Sequence, residues 1–352
     1  MENKKTKIIA VTGISGSGTK NFCENYNSES RQGNVKIYHT SDMIYELAQD
    51  SKAPPIPVEN LLNLNPRRLE AARNRAFDRI LNNLKQDSED YERVVIDTHA
   101  QFLWNNVYEN AYDWSYLNKI PIDMFVTIID KPSAIKQRQL ATEQGKSQNH
   151  DLRDILLWQN VEVNATRGWA LNYEKPMYVL SAKQHPRVMD SLIENNFFIY
   201  SSFPMTDASP ERTQKIVNFK TRLKNLGKNI NGIETPMMDP ADIDIENDSN
   251  LSDRIKDTIA AQTVHRDLNW DIGQATHIVS YYPDDKIDLS KGVSDEDTRG
   301  LEDGKFVYVI CPRKRKSPFM DIAHKVFSDE EEFFSFFEGH MKWALEYYAR
   351  KK

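Results

Sequence analysis

Short apolar runs alternate with longer amphipathic stretches along the whole chain. Lys7–Thr12, Val35–His39, Arg93–Asp97, Asp123–Ile129 and Pro176–Ser181 crowd β-branched and aromatic residues into runs too short for a helix, and read as buried strands. Phe197–Ser202, Ala275–Tyr281 and Lys305–Cys311 repeat the pattern later in the chain. Between them lie helical stretches: after Lys20, over Leu61–Leu84, from Leu251 to Trp270, from Lys291 to Gly304, and over Glu330–Lys352, where Phe333, Phe334, Phe336, Phe337 and Trp343 mark a core or subunit-contact face. Strands alternating with helices argue for an α/β chain of parallel sheets, with ligands at the carboxyl ends of the strands. The mixed polar segment 182–195, with Pro186, is the expected junction, giving two domains, 1–185 and 196–352. The acidic, Asn-containing stretch Asp239–Asp253 reads as an exposed loop or lid rather than a domain boundary.

Composition narrows the classes. A chain of 352 residues with 39% hydrophobic residues and six Trp can fill two cores. A net charge of −6 offers no field for a nucleic-acid polymer, and the basic cluster Arg313–Lys316 is short enough to be a solvated loop. No run approaches the roughly 18 apolar residues of a membrane span, and the polar start Met1–Lys5 lacks the apolar region of a secretion signal. Two cysteines, Cys23 and Cys311, fall in different expected domains without metal-ligand spacing, which fits a cytoplasmic protein. His99, His265 and His277 read as structural rather than as ligands.

The first strand runs directly into Gly13-Ile14-Ser15-Gly16-Ser17-Gly18-Thr19-Lys20 and a helix. Glycines at this spacing let successive backbone N–H groups converge on phosphate oxygens, with the helix N-terminus behind them. The pattern wants lysine directly after the last glycine and a hydroxyl next; here Thr19 precedes Lys20. One helical step turns a side chain by about 100°, so Lys20 is not placed by pattern alone over a terminal phosphate. Residues 5–182 resemble the archaeal-type adenylate kinases and related P-loop nucleotide kinases. The resemblance rests on this turn, on His39-Thr40-Ser41-Asp42, on Arg67, Arg68 and Arg73 in the helical stretch, on Val94-Val95-Ile96-Asp97, and on Arg138 followed by Gln159 and Asn164. It implies a P-loop kinase-like parallel sheet with flanking helices that binds ATP with Mg²⁺. The ATP-binding residues would be Gly13, Ser15, Gly16, Ser17, Gly18, Thr19, Lys20, Asp97 and Arg138, with the magnesium carried by the nucleotide near Thr19 and Asp97. The lid stretch Thr142–His150 holds only Lys146 as a basic residue, with Arg153 beyond it, where such kinases gather arginines.

A second constellation lies towards the C-terminus. Ser290-Lys291-Gly292-Val293-Ser294-Asp295-Glu296 follows a buried strand and is expected to put Glu296 on the first turn of a helix, a way to present an ionised carboxylate at a fixed place. Arg266-Asp267-Leu268-Asn269-Trp270 precedes that strand, and Tyr200-Ser201-Ser202-Phe203-Pro204 ends an earlier one. In this order the motifs over residues 196–345 resemble the nucleoside 2-deoxyribosyltransferase family, closest to its 2'-deoxynucleoside 5'-monophosphate N-glycosidases. The resemblance implies a smaller Rossmann-like, flavodoxin-like domain. It implies Glu296 as nucleophile on the anomeric carbon and Asp267 as the group that orients or protonates the departing base. Tyr200, Ser202, Pro204, Ser290 and Gly292 would line the substrate, and Ser317 would reach a neighbouring subunit's phosphate site, which requires a homodimer or larger homo-oligomer. The combined expectation is a nucleotide-metabolism enzyme that binds ATP and cleaves or exchanges an N-glycosidic bond. A nucleoside or nucleotide kinase with a non-catalytic second half, and an ATP-gated nucleotide-degrading effector, stand beside it.

Overall fold

The computed structural model describes residues 6–29, 34–49, 55–204, 209–243, 252–286, 289–312 and 322–351. The chain divides into two compact units, residues 1–186 with 245–259, and residues 187–244 with 260–352.

The first unit is built on β1 (Lys7–Thr12), β2 (Val35–His39), β3 (Arg93–Thr98), β6 (Met124–Ile129) and β7 (Met177–Ser181). They form a five-stranded sheet in the order β2-β3-β1-β6-β7. Every pairing is parallel, and the register sets Thr12 beside Thr98 and Thr127, so β1 and β3 end level while β6 runs on to Ile129. His39 and Asp97 are register partners on β2 and β3. All six residues of β3 and of β6 are buried, as strands covered on both faces must be.

Two features depart from the periodicity. The helical stretch expected over Leu61–Leu84 begins as a short 3₁₀ turn, Val58–Asn63, and the long helix starts only at Pro66. Asn65 caps it through its side chain and Pro66 occupies the first helical turn, where a missing N–H costs nothing. Second, β3 is followed by an antiparallel hairpin, β4 (Gln101–Trp104) with β5 (Val107–Asn110). Its turn residues Asn105 and Asn106 have φ of 49° and 61°, the backbone a two-residue hairpin demands. All four residues of β5 are exposed, so no alternation of apolar positions announces it.

The second unit contains β8 (Ile199–Ser202), β9 (Met237–Met238), β10 (His277–Tyr281), β11 (Phe306–Ile310) and β12 (Lys325–Phe327). They form an all-parallel sheet in the order β12-β11-β10-β8-β9. Numbered within the unit this is the flavodoxin-like order 2-1-3-4-5, whose strand direction of travel reverses between β8 and β10. Its core gathers Phe219, stacked on Tyr281 at 4.2 Å, with Phe327, Phe333, Phe337 and Met341, the last three from the C-terminal helix Glu330–Arg350. Cys23 and Cys311 are both buried and free. Among the described residues no helix is long and apolar enough to cross a membrane.

Candidate functional site

In the first unit, β1 ends in the glycine-built turn. Gly16 and Gly18 adopt φ of 85° and 93°, which favour glycine. Gly13 is held to glycine by crowding: a methyl there would lie 2.2 Å from Thr19 Oγ1 and 2.6 Å from Ser17 Oγ. The Ser17 and Thr19 hydroxyls bond each other at 2.8 Å, closing the turn from inside. Outside it, Gln139 Nε2 donates to the Ser15 carbonyl at 2.7 Å, and Arg138 Nε donates to the Gly16 carbonyl at 2.5 Å. The helix from Thr19 to Glu29 then points its N-terminus back at the turn.

The turn opens onto a cavity of about 580 Å³ that also reaches Thr40, Asp97, His99, Phe102, Trp104, His150 and Trp158. Lys20 lines it too, but its ammonium lies 2.6 Å from Asp42 Oδ2 on the exposed side of the helix. That pairing raises the lysine pKa. Arg138 is likewise engaged, 2.5 Å from Asp130 Oδ2. Asp97 Oδ2 accepts from His39 Nδ1 at 2.6 Å, a bond that holds the imidazole above its ordinary pKa. Arg68 and Arg73 donate to the carbonyls of Ala48 and Asn110, at 2.8 and 2.7 Å, so both spend a donor on the fold.

One group that pattern did not single out supports the turn. Glu162, fully buried on the helix Leu152–Tyr173, accepts the N–H groups of Ala100 and Gln101 at 2.7 and 2.8 Å. Burial raises its pKa to about 7, against the pull of those N–H groups and of the Gly13 N–H. His99, next in sequence to Ala100, bonds the Gly13 carbonyl through Nδ1 at 2.5 Å. The segment 99–101 is thus pinned to the turn on one side and to Glu162 on the other. Thr19 and Asp97 both line the cavity onto which the turn opens. Among the described residues no group of three or more His, Cys, Asp or Glu side chains could hold a metal alone.

Residues 12–155 match the family model described as an AAA domain. That match spans less than half of the chain, and the first unit has a P-loop kinase-like α/β fold. Among solved structures, a sugar kinase from Janibacter is similar at 16% identity over 53% of this chain and 93% of its own, with a TM-score of 0.30. A protein from Thermus thermophilus is similar at 10% identity over 54% and 97%, with a TM-score of 0.34. Neither likeness specifies a substrate. No curated protein matches the chain. The comparisons lend nothing to the deoxyribosyltransferase resemblance of residues 196–345, which rests on the residues themselves.

Those residues do converge. At the carboxyl end of β8, Tyr200 OH donates to Glu296 Oε1 at 3.0 Å and Ser202 Oγ donates to Oε2 at 2.5 Å. Asp267 is close enough to press on the charge of Glu296. It begins a π-helical turn, Asp267–Asp271, that continues the helix Asp253–Arg266, and Arg266 grips it through Nε at 3.1 Å and a second nitrogen at 2.9 Å. The same guanidinium lies 3.7 Å from the fully buried Asp271. The group sits where the strand order reverses, the usual ligand crevice of such a sheet.

Two expectations about this site need correcting. Glu296 is not on the first turn of its helix: the helix runs from Lys291 to Glu302, with Ser290 as its cap. Nor does the helix end keep it ionised. Burial and the neighbouring carboxylates of Asp267 and Asp295 outweigh the two hydroxyl donors and push its pKa up to about 7. Asp297, the next residue, is raised to about 7 by burial as well, while accepting from Ser280 Oγ at 2.5 Å. The Ser290 hydroxyl is occupied by the Val293 N–H at 3.4 Å, and Gly292 is exposed with room for a methyl, whose nearest neighbour would be Ser290 Oγ at 3.6 Å. Pro204 is buried just past β8. Ser317 lies outside the described residues.

Proposed function

We propose that the first unit binds a nucleoside triphosphate at the Gly13–Thr19 turn and transfers its terminal phosphoryl group to a hydroxyl-bearing small molecule in the adjoining cavity. What carries this reading is the turn itself: a Gly13 with no room for a side chain and two glycines at positive φ, at the end of the central strand, opening onto a cavity shared with Asp97. The acceptor oxygen bonds to the γ-phosphorus, the bond from that phosphorus to the β–γ bridging oxygen breaks, and the acceptor's proton leaves to solvent or to Asp97. A magnesium ion carried by the nucleotide, near Thr19 and Asp97, would neutralise charge on the transferring group. The backbone amides do the positioning, since Lys20 and Arg138 are both paired to carboxylates. The test is ADP formation from ATP with a panel of nucleosides, nucleotides and sugars, on wild type and on Gly13→Ala. Transfer that survives Gly13→Ala unchanged rules the turn out as the donor site.

A second reading concerns the second unit and rests on one observation: a half-buried carboxylate held by two hydroxyls beside another carboxylate. In it Glu296 attacks C1' of a nucleoside or nucleotide as the bond to the base nitrogen breaks. The base leaves with a proton from Asp267 or water, and a second water hydrolyses the glycosyl ester. Base release from deoxynucleoside monophosphates and nucleosides is the measurement. If Glu296→Ala releases base as fast as wild type, this reading is wrong.

A further inference from the structure

The crevice at the carboxyl end of β8 is crowded with acids. Asp267 and Asp295 both press on the charge of Glu296, and Glu296 in turn presses on Asp297. Asp267 and Asp271 join Glu296 in acting on the Tyr200 hydroxyl. Like charges this close oppose one another's ionisation. Arg266 answers two of them. It is 8% exposed and ends the helix Asp253–Arg266, and two of its guanidinium nitrogens reach Asp267 Oδ1, at 3.1 and 2.9 Å. Its Nε also lies 3.7 Å from Oδ2 of Asp271, which is fully buried.

The backbone explains how one side chain serves both aspartates. From Asp267 the helix widens into a π turn, with the Ile272 N–H bonded to the Asp267 carbonyl five residues back. Asp267 and Asp271, its first and last residues, thereby come to the same guanidinium. A guanidinium is never deprotonated in a protein, so it offsets one of the two aspartate charges at every pH. The other groups packed around the helix of Glu296 are engaged elsewhere. Tyr200 and Ser202 of β8 donate hydrogen bonds without charge. On β10, His277 bonds His340 and Tyr281 bonds Glu330; on β11, Tyr308 faces His340. Lys305 donates to the Gly273 carbonyl, Arg299 pairs with Asp303, and Asp297 accepts from Ser280.

We propose that Arg266 is a positioning residue of this crevice: by clamping Asp267 and offsetting its charge, it leaves Glu296 as the carboxylate available to a substrate. Arg266 touches no reacting atom. The word substrate rests on the base-release reading above; the hold of Arg266 on the charge of Glu296 does not.

Carboxyl-carbon NMR titration of the full chain, labelled at glutamate, tests this without needing activity, with the Glu296 signal identified by its loss in Glu296→Gln. The wild-type midpoint is expected at about 7. In Arg266→Met it should rise by about one pH unit or more, the effect of a like charge nearby once its partner is gone. Arg266→Lys, which keeps the charge and loses the fork, should stay closer to wild type. Arg266→Met combined with Asp267→Asn should return to the wild-type midpoint or below it. Arg266→Met also withdraws the ion-pair partner of the buried Asp271, which can cost the fold; Arg266→Met with Asp271→Asn removes that pair together, keeps Asp267 charged, and should show the same rise. Base release by the arginine variants should fall about fivefold in kcat at pH 7, since a one-unit rise cuts the ionised fraction from about one half to about a tenth, with KM within about twofold, and should recover by pH 9. A Glu296 midpoint that stays put without Arg266, a rise that persists after Asp267→Asn, or a lysine variant that moves as far as the methionine one would each overturn the proposal. The predicted midpoint shifts in a protein that releases no base at any pH would support the hold of Arg266 and overturn the base-release reading instead.

Discussion

Glu162→Gln probes how the phosphate turn is held. The wild-type carboxylate is fully buried and meets two backbone N–H groups, at 2.7 Å from Ala100 and 2.8 Å from Gln101. Its pKa is raised from 4.5 to about 7. That rise corresponds to pH-dependent stability on the order of a few kcal/mol. The sign follows from the direction of the shift. Between pH 4.5 and 7 the folded protein holds a proton that the unfolded chain has released, so this contribution is full at low pH and is lost as pH rises through about 7. Glutamine cannot titrate, so the variant lacks that slope. It turns an amide –NH₂ against one of the two N–H donors instead, at a cost of roughly 1–3 kcal/mol. The expected result is a crossing: Glu162→Gln clearly less stable than wild type at pH 5, and equal or more stable at pH 8. Hydrogen exchange of the peptides carrying Ala100 and Gln101, measured at both pH values, reads the unit in question without assuming that the whole chain unfolds in one step. ATP affinity should fall by a few-fold in the same variant, because His99 on this segment holds the Gly13 carbonyl. An unchanged pH slope in Glu162→Gln would refute the reasoning.

Other outcomes follow from the two sites. Ser202→Ala removes the 2.5 Å donor to Glu296; a charge-assisted bond of roughly 1.5–3 kcal/mol shifts that carboxyl up by about 1–2 units. If Glu296 is the nucleophile proposed above, wild-type base release should rise as pH passes about 7 and that rise should move to higher pH in the variant; an inflection that stays put counts against the bond. Lys20→Ala breaks an exposed ion pair and should cost under about 1 kcal/mol of stability and less than about fivefold in ATP affinity; a loss of a hundredfold would mean the lysine leaves Asp42 when nucleotide binds. His277 and His340 meet through their Nε2 atoms at 2.9 Å, with Tyr308 OH 3.1 Å from His340 Nε2. Burial lowers both, His340 to about 4 from 6.5, so the second unit should lose stability as pH falls from 6.5 towards 4, and His340→Phe should flatten that loss in thermal melts at pH 7 and pH 5.

Much of this protein was legible along the chain. The eight strand segments expected from apolar runs all form, because a run of buried β-branched residues bounded by turns has few other ways to fold. The glycine turn after β1 was legible for the same local reason: positive φ at Gly16 and Gly18 and a crowded Gly13 are conditions set within a few residues. Three further segments, the β4–β5 hairpin, β9 and β12, were not, since β5 is exposed throughout, β4 is only four residues long, β9 and β12 are two and three, and none carries a periodicity. The paired asparagines at the hairpin turn were the one available signal.

Partner choice and protonation were decided only in three dimensions. The motif order suggested Glu296 and Tyr200, but the bond between them spans 96 positions, and the burial that lifts Glu296 comes from surroundings no local window contains. Glu162 reads as one more polar residue on a helix until the fold carries it under the backbone of residues 62 positions away. Lys20 stands beside its glycines in sequence, yet Asp42 takes its charge. Backbone conformation answers to neighbours in the chain. Desolvation and pairing answer to neighbours in space, and those exist only after the sheets have closed.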